Sequence, residues 1–450
     1  MENKELNKMG VKPILPLLLS MSLPIVFSMF IQSLYNMVDS YFVSLISEKA
    51  FRAVSLSFPI QQIIISCGVG IGVGVNSFCS RKLGEGKFKE ANYGVINSLI
   101  IVCFTAILFF IFGVFFTRPI FKLFTSDIEV YEMGIVYLSI VCIFSFTCLL
   151  QISQEKTIQS TGRMIVPMIS QLAGSILNII LDPILIFGYF GFPAMGIKGA
   201  AVATIFGQSV GGFICIIYLI FNNSEIRLNF KEFKYNHHIT KAILNVGFPA
   251  TLMQSITAFL TMALNRVLMP ISEVAVSVLG VYYKIQTFVF LPTYGITQAI
   301  LPVIGYNYGA RKKSRIDETL KIGSLMALVL MVIGTLVFQI FPSKLMSIFN
   351  PTPEMLEIGT IALKIISISF IPATITVVSA TFFQALGKGN YSLFVSVLRQ
   401  FAIILPVAKL MSYIGLNYVW TAYPIAETIA AIVCIILGKK LYKEKISIIP

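Results

Sequence analysis

The chain has 450 residues, of which 56% are hydrophobic and only 12% charged, with a mean hydropathy of +0.86. Soluble globular domains carry about twice that share of charge, near 25%, so the composition excludes a soluble enzyme or nucleic-acid binder and defines a polytopic membrane protein. The net charge of +14 then belongs to loops on one side of a bilayer, with no nucleic-acid partner implied.

Apolar runs of about 20 residues, the length that crosses the hydrocarbon core, fall at 14–46, 53–79, 94–117, 131–152, 164–190, 197–221, 241–268, 274–302, 320–342, 356–382, 391–413 and 417–438. The predicted fold is all-α: twelve transmembrane helices in two six-helix lobes, 1–221 and 241–450, joined by a polar linker at 222–240. The polar N-terminus runs to Lys12 and leads into an apolar segment too long for a signal peptide. Lysine and arginine gather in the segments that share a side with the N-terminus. Examples are Arg81, Lys82, Lys87 and Lys89, then Arg311, Lys312, Lys313 and Arg315, then Lys439, Lys440, Lys443 and Lys445. By the positive-inside rule both termini and the linker are expected in the cytoplasm.

In the first span Gln32, Asn36 and Asp39 share one helix face, with Tyr35 beside them. A carboxylate at mid-membrane costs roughly 2.5–3.5 kcal/mol on insertion scales, so a partner, a watery cavity or a bound proton must compensate. The second span carries Gly68, Gly70, Gly72 and Gly74, a row that fits close helix packing better than phosphate binding. The fifth span places Gln171, Ser175, Asn178 and Asp182 in one stripe, with Pro183 following the acid. The sixth adds Thr204 and Gln208. Asp39 and Asp182 read as the two deep acids of this lobe, near enough in kind to share a proton if they meet.

The second half repeats the first at a constant offset. Pro24 matches Pro249, Gln61 matches Gln286, Gly70 matches Gly295, and Gln159 and Gly162 match Gln384 and Gly387. Six spans per copy is an even number, so the two lobes face the same way and are expected to relate by a pseudo-two-fold axis along the membrane normal. The chemistry is not repeated: Leu264 stands opposite Asp39 and Val407 opposite Asp182. The seventh span keeps a neutral stripe of Gln254, Thr257, Thr261 and Asn265. Glu427 is the one deep acid here, with Lys284 and Arg399 as candidate cations. Arg399 reads as a cation snorkelling to an interface. Glu427 either lines a cavity or pairs with one of those cations. Aromatic and methionine side chains, Met29, Met37, Tyr283 and Phe288 among them, are candidates for the cavity wall.

The seven cysteines all lie in apolar runs without metal-ligand spacing, and the two histidines, His237 and His238, sit in the linker. No nucleophile triad, zinc site, P-loop or dinucleotide motif is present. The chain is expected not to be an enzyme and to need no cofactor.

Several stretches together resemble the multidrug and toxic compound extrusion (MATE) family over essentially the whole length. They are Asn36-Met37-Val38-Asp39, Arg81-Lys82-Leu83-Gly84-Glu85-Gly86, Gln159-Ser160-Thr161-Gly162-Arg163, Asn178-Ile179-Ile180-Leu181-Asp182-Pro183, and Gly196 through Ala201. Pro302-Val303-Ile304-Gly305-Tyr306-Asn307-Tyr308-Gly309-Ala310 is the counterpart in the second half. The resemblance implies export of cationic, amphipathic compounds driven by inward protons or sodium, from a functional monomer in the inner membrane of a bacterium. It is closest to the branch, DinF-like, whose essential acids lie in the N-terminal lobe. That branch implies ion coupling at Asp39, Asn178, Asp182 and Thr204, with H+ expected and Na+ the alternative at the same residues. Gln32, Tyr35, Asn36, Gln171, Ser175, Gln208, Gln254, Lys284 and Glu427 are the candidate substrate contacts. A lipid-linked oligosaccharide flippase of the same superfamily is the alternative reading, disfavoured by the mixed signs of the deep charges.

Overall fold

The computed structural model describes residues 7–221, 225–228 and 235–449. Part of the predicted linker, with Lys231 and Lys234, and the N-terminal Lys4 lie outside them. Among the described residues the chain is helical throughout, with turns and no strand. In the first half the helices are α1 (Ile14–Ile46), α2 (Glu48–Gly84), α3 (Phe88–Phe115), the short α4 (Thr117–Phe124), α5 (Ile128–Ile143), α6 (Ser145–Gln159), α7 (Ile165–Phe187) and α8 (Ile197–Phe221). The second half runs α9 (His237–Leu268), α10 (Glu273–Gly309), α11 (Lys313–Ile340), the short α12 (Pro342–Ser347), α13 (Pro353–Ser367) and α14 (Phe370–Ala385). Then come α15 (Gly389–Val397), a π-helical turn at Leu398–Ile404, α16 (Leu405–Ser412), α17 (Leu416–Val419) and α18 (Ala422–Lys445). Ten of the spans are single or nearly straight helical stretches, and α5–α6 and α13–α14 are pairs bent by 46° and 50°; counting each bent pair once gives twelve. The predicted spans are therefore present: α1 and α8 have the predicted limits, α7 is shorter at both ends, and the others are longer. His237 and His238 open α9 rather than ending a loop.

The duplication is written into the helix ends. Ser47 accepts the Ala50 amide at the start of α2, and its counterpart Ser272 accepts the Ala275 amide at the start of α10. Glu48 and Glu273 follow in the positive first turns. Asp127 caps α5 and Thr352, its counterpart, caps α13. Both breaks in the bent spans fall at the same point of the repeat. In the second copy Pro372, inside α14, has no N–H for the carbonyl four residues back. In the first, the Thr147 hydroxyl donates to the Phe144 carbonyl at 3.0 Å.

The short helices show what each copy does with its rim. Phe121 of α4 is fully buried over Gly134, where a Cβ would lie 2.0 Å from the ring. Met346 of α12 is fully buried over Gly359, where a Cβ would lie 2.3 Å from its terminal methyl. Glycine is required in both places because the large side chain uses the space.

Two compact units form. One contains Leu23–Thr251; the other contains the described part of Met1–Ser22 together with Leu252–Pro450. The passages between units thus fall inside α1 and α9, beside Pro24 and just after Pro249. Within the first unit the glycine row of α2 receives the start of α9 and the end of α6. A Cβ on Gly70 would lie 2.6 Å from the Gly247 carbonyl oxygen, and one on Gly72 would lie 2.5 Å from the Lys156 side chain. The row serves packing, as its place in a span implied. Within the second unit the N-terminal segment is strapped to the α10–α11 turn. Asn307 and Arg315 donate to the Met9 carbonyl at 2.9 and 3.0 Å, and Lys312 donates to the Gly10 carbonyl at 2.9 Å.

Candidate functional site: a carboxyl pair in the first unit

Three helices of the Leu23–Thr251 unit bring the predicted coupling residues together. The carboxyl groups of Asp39, on α1, and Asp182, on α7, lie within hydrogen-bonding reach of each other. Two ionised carboxylates repel and neither donates, so such a contact needs a proton or a cation between them. Asp182 and Asn178 are one turn apart on α7 and both buried. With its amide oriented to satisfy its neighbours, Asn178 donates to Asp182 Oδ2 at 3.1 Å and accepts the Thr204 amide at 3.0 Å. The opposite orientation offers only a 3.4 Å contact to Thr204 Oγ1, so the first is preferred on hydrogen-bond grounds. The Tyr35 hydroxyl reaches Thr204, tying α1 to α8. Asp39 Oδ1, Asp182 Oδ1 and Ser175 Oγ are buried oxygens with no partner in the protein. They are acceptors free to take a proton donor or a small cation.

Two residues of this cluster had no sequence signal for the role. Gln61 on α2 donates to the Tyr137 hydroxyl on α5 at 3.0 Å, and Tyr137, 2% exposed, lies within the electrostatic reach of both aspartates. Gln61 stood out only as half of a repeat pair. Tyr137 is one tyrosine among 18.

The remaining candidates scatter. Gln32 and Gln171 are half-buried, and Asn36 is exposed. Gln208 accepts from Thr147 at 3.2 Å. In the second unit Gln254 is exposed, and Lys284 is exposed with its ammonium 5.8 Å from the Phe349 ring. Glu427 is engaged: Arg399 Nη1 lies 2.7 Å from Oε1, and Thr376 donates to Oε2 at 3.1 Å. Arg399 does not snorkel to an interface. The π-helical turn that carries it delivers the guanidinium to α18, and its side chain is only 24% exposed. Above this pair the Tyr283 and Tyr423 hydroxyls share a 2.9 Å hydrogen bond.

The first unit also holds a third acid that its sequence setting concealed. Glu155 sits in α6, one residue before Lys156, where the polar run Gln154-Glu155-Lys156 reads as the start of a loop. Its Oε1 accepts from Gln151 at 3.1 Å and contacts Ser170 Oγ at 3.0 Å.

A duplicated set of twelve apolar spans with carboxyls held in its interior defines a polytopic membrane transporter, not an enzyme. The chain belongs to the MatE family: the family signature matches residues 24–184 and again 249–410, one match for each copy of the repeat. The chain is 26% identical over 440 residues to the FAD transporter of Shewanella oneidensis, covering 95% of each chain. It is 25% identical over 447 residues to the multidrug export protein MepA of Staphylococcus aureus, covering 97% of this chain and 96% of that one. Among solved structures it superposes on a MOP superfamily transporter from Pyrococcus furiosus with a TM-score of 0.91 at 23% identity, covering 98% and 99% of the two chains. A MATE structure in the bent conformation gives 0.88 at 24% identity, with 95% of each chain covered. These matches fix the fold as that of MATE transporters.

Proposed function

We propose that the protein is a secondary active multidrug efflux antiporter that exports cationic, amphipathic organic compounds in exchange for inward protons. The observation that supports the reading is the approach of the Asp39 and Asp182 carboxyls to each other, a geometry that a shared proton relieves. Asn178 and Thr204 hold the pair in place, and Tyr35 and Tyr137 wall it. Losing that proton sets two negative charges side by side in a low-dielectric interior, and an organic cation or a new proton relieves the repulsion. Exchange follows: substrate and proton compete for one pair of acids. Each inward proton gains roughly 2.3 kcal/mol per 100 mV. Export of a monovalent cation works against the same potential, so one-for-one exchange draws on the pH gradient instead: each pH unit is worth about 1.4 kcal/mol, a tenfold substrate gradient.

The multidrug export relatives support the substrate class. The FAD transporter relative, at similar identity, supports a second reading in which the cargo is a flavin dinucleotide. Purified protein in proteoliposomes tests both. Efflux of an organic cation in sodium-free vesicles is expected to follow an imposed pH gradient and to collapse with a protonophore. Asp39→Asn and Asp182→Asn are each expected to abolish it at normal protein levels. Transport that survives the protonophore and needs a sodium gradient would overturn proton coupling. Gradient-driven transport of FAD with no movement of cations would replace the multidrug reading by the second.

A further inference from the structure

Ser170 of α7 stands within donating distance of two acceptor oxygens. Its Oγ lies 2.8 Å from the Gly211 carbonyl oxygen of α8 and 3.0 Å from Glu155 Oε1 of α6. A serine hydroxyl carries one hydrogen. If Ser170 gives it to Gly211, the contact to Glu155 sets lone pair against lone pair unless Glu155 brings a hydrogen of its own. If Ser170 gives it to Glu155, the shorter contact to Gly211 is left without one. With an ionised carboxylate the one hydrogen is shared between two acceptors, whereas a protonated carboxyl gives each contact a hydrogen of its own. The chain then reads Glu155 to Ser170 to Gly211, each donating to the next.

The surroundings are built for that chain. Gly211 has no side chain where a Cβ would lie 2.5 Å from Gln151 Nε2 and 3.1 Å from Ser170 Oγ, so only glycine lets α8 approach this closely. Gln151 Nε2 donates to Glu155 Oε1 at 3.1 Å and fixes the carboxyl's orientation without supplying the missing hydrogen to Ser170. The titratable groups whose fields reach Glu155 are Lys156 and Cys148 on α6 itself and Cys215 on α8, whose thiol also bonds Ser170. Lys156 Nζ donates to Gln159 Oε1 at 3.2 Å, and its stem lies across Gly72 of α2. From α2, Gly68 lies against Ile152 and Gly72 against Lys156. Glu155 itself is half-buried, so protons can reach it.

We propose that Glu155 is a second proton-binding site, separate from the Asp39–Asp182 pair, and that its proton links α6 to α7 and α8 through Ser170. Release of that proton leaves Ser170 one hydrogen for two acceptors, so its hold on α6 or on α8 weakens. The unit therefore binds two protons at distinct places. This site stands on its own geometry, whatever ion the aspartates use.

The test is infrared spectroscopy of the full-length protein in lipid, with the glutamate carboxyl carbons isotopically labelled so that Asp39 and Asp182 do not contribute. One labelled carboxylic-acid C=O band is expected at neutral pH, and Glu155→Gln should remove it. Glu427→Gln, measured alongside, identifies any band that comes from the acid paired with Arg399. Ser170→Ala keeps the carboxyl and removes its acceptor, so the band is expected to shift to higher frequency. It also serves if Glu155→Gln fails to fold. The proposal is overturned if no protonated-glutamate band is found, if it persists in Glu155→Gln, or if it does not move in Ser170→Ala.

Discussion

Replacing Arg399 by methionine leaves the Glu427 carboxylate, 11% exposed, with one neutral donor, Thr376, where it had a guanidinium at 2.7 Å. Breaking one side of a buried ion pair costs about 3–5 kcal/mol, most of it the desolvation of the charge left behind. The 24% exposure of the Arg399 side chain admits some screening, which places the expected loss near the lower bound, about 3 kcal/mol. Adding Glu427→Gln removes the stranded charge and keeps an oxygen for Thr376. The double variant is therefore expected within about 1 kcal/mol of the parent, because a neutral replacement of a buried pair is often nearly free. Unfolding of the four proteins in one detergent closes the cycle, and efflux in proteoliposomes is measured alongside. The coupling between the two sites is expected to exceed about 1.5 kcal/mol, beyond the additivity of independent positions. The argument fails if Arg399→Met alone is within 1 kcal/mol of the parent, which marks an idle pair. It fails equally if the double variant is as unstable as the single. Stability restored without efflux would assign Glu427 a role in transport beyond its ion pair.

Other expectations are as direct. Gly134→Ala drives a methyl into the Phe121 ring and is expected to cost about 1–3 kcal/mol; Gly359→Ala meets the flexible end of Met346 and is expected to cost less, so equal melting shifts would refute the comparison. In the loop after α2, partial burial pushes the Glu85 carboxyl up, but its hydrogen bonds to Lys87 and Lys82, each at 2.9 Å, outweigh this and hold it below its ordinary value. Its contribution to stability is therefore full above the ordinary carboxyl range, near pH 4.3, and is lost as pH falls through the lower folded value. Glu85→Gln is expected to lower the melting temperature at pH 7 and to leave it unchanged once both values are passed; a constant difference across pH would refute it. A cysteine at Asn236, which caps the start of α9 by accepting the His238 amide, is expected to resist membrane-impermeant maleimide in intact cells. Ready labelling there would invert the orientation drawn from the basic loops.

Much of the architecture is legible before any coordinates because bilayer thickness imposes a length on every span, and length survives in a one-dimensional pattern. The bends are not legible: hydropathy counts apolar residues and is blind to direction, so α5–α6 and α13–α14 read as plain runs. Asp39, Asn178, Asp182 and Thr204 stood out because polar groups are costly in lipid. Tyr137 did not, since an aromatic ring is ordinary there until its hydroxyl is seen on Gln61. Glu155 was hidden by its neighbour Lys156, as a cation beside an anion reads as a loop end. Arg399 was misread for a related reason. Snorkelling is what an arginine near a span end usually does, and only the π-helical turn aims this one at α18.

The passages between units inside α1 and α9 have a consequence for how the polypeptide is tied together. A cut between Leu228 and Tyr235 would yield two fragments, neither of which owns a whole unit. The first fragment leaves its opening residues among Asn307, Lys312 and Arg315. The second leaves its own opening stretch on Asn97 and the α2 glycines, where Thr240 donates to Asn97 at 2.9 Å. Each fragment is the missing piece of the other's fold, like two hands with interlaced fingers. A duplicated gene that reached this arrangement could no longer separate its copies into free-standing proteins, and the nicked chain would migrate as one particle until detergent or heat undid both units.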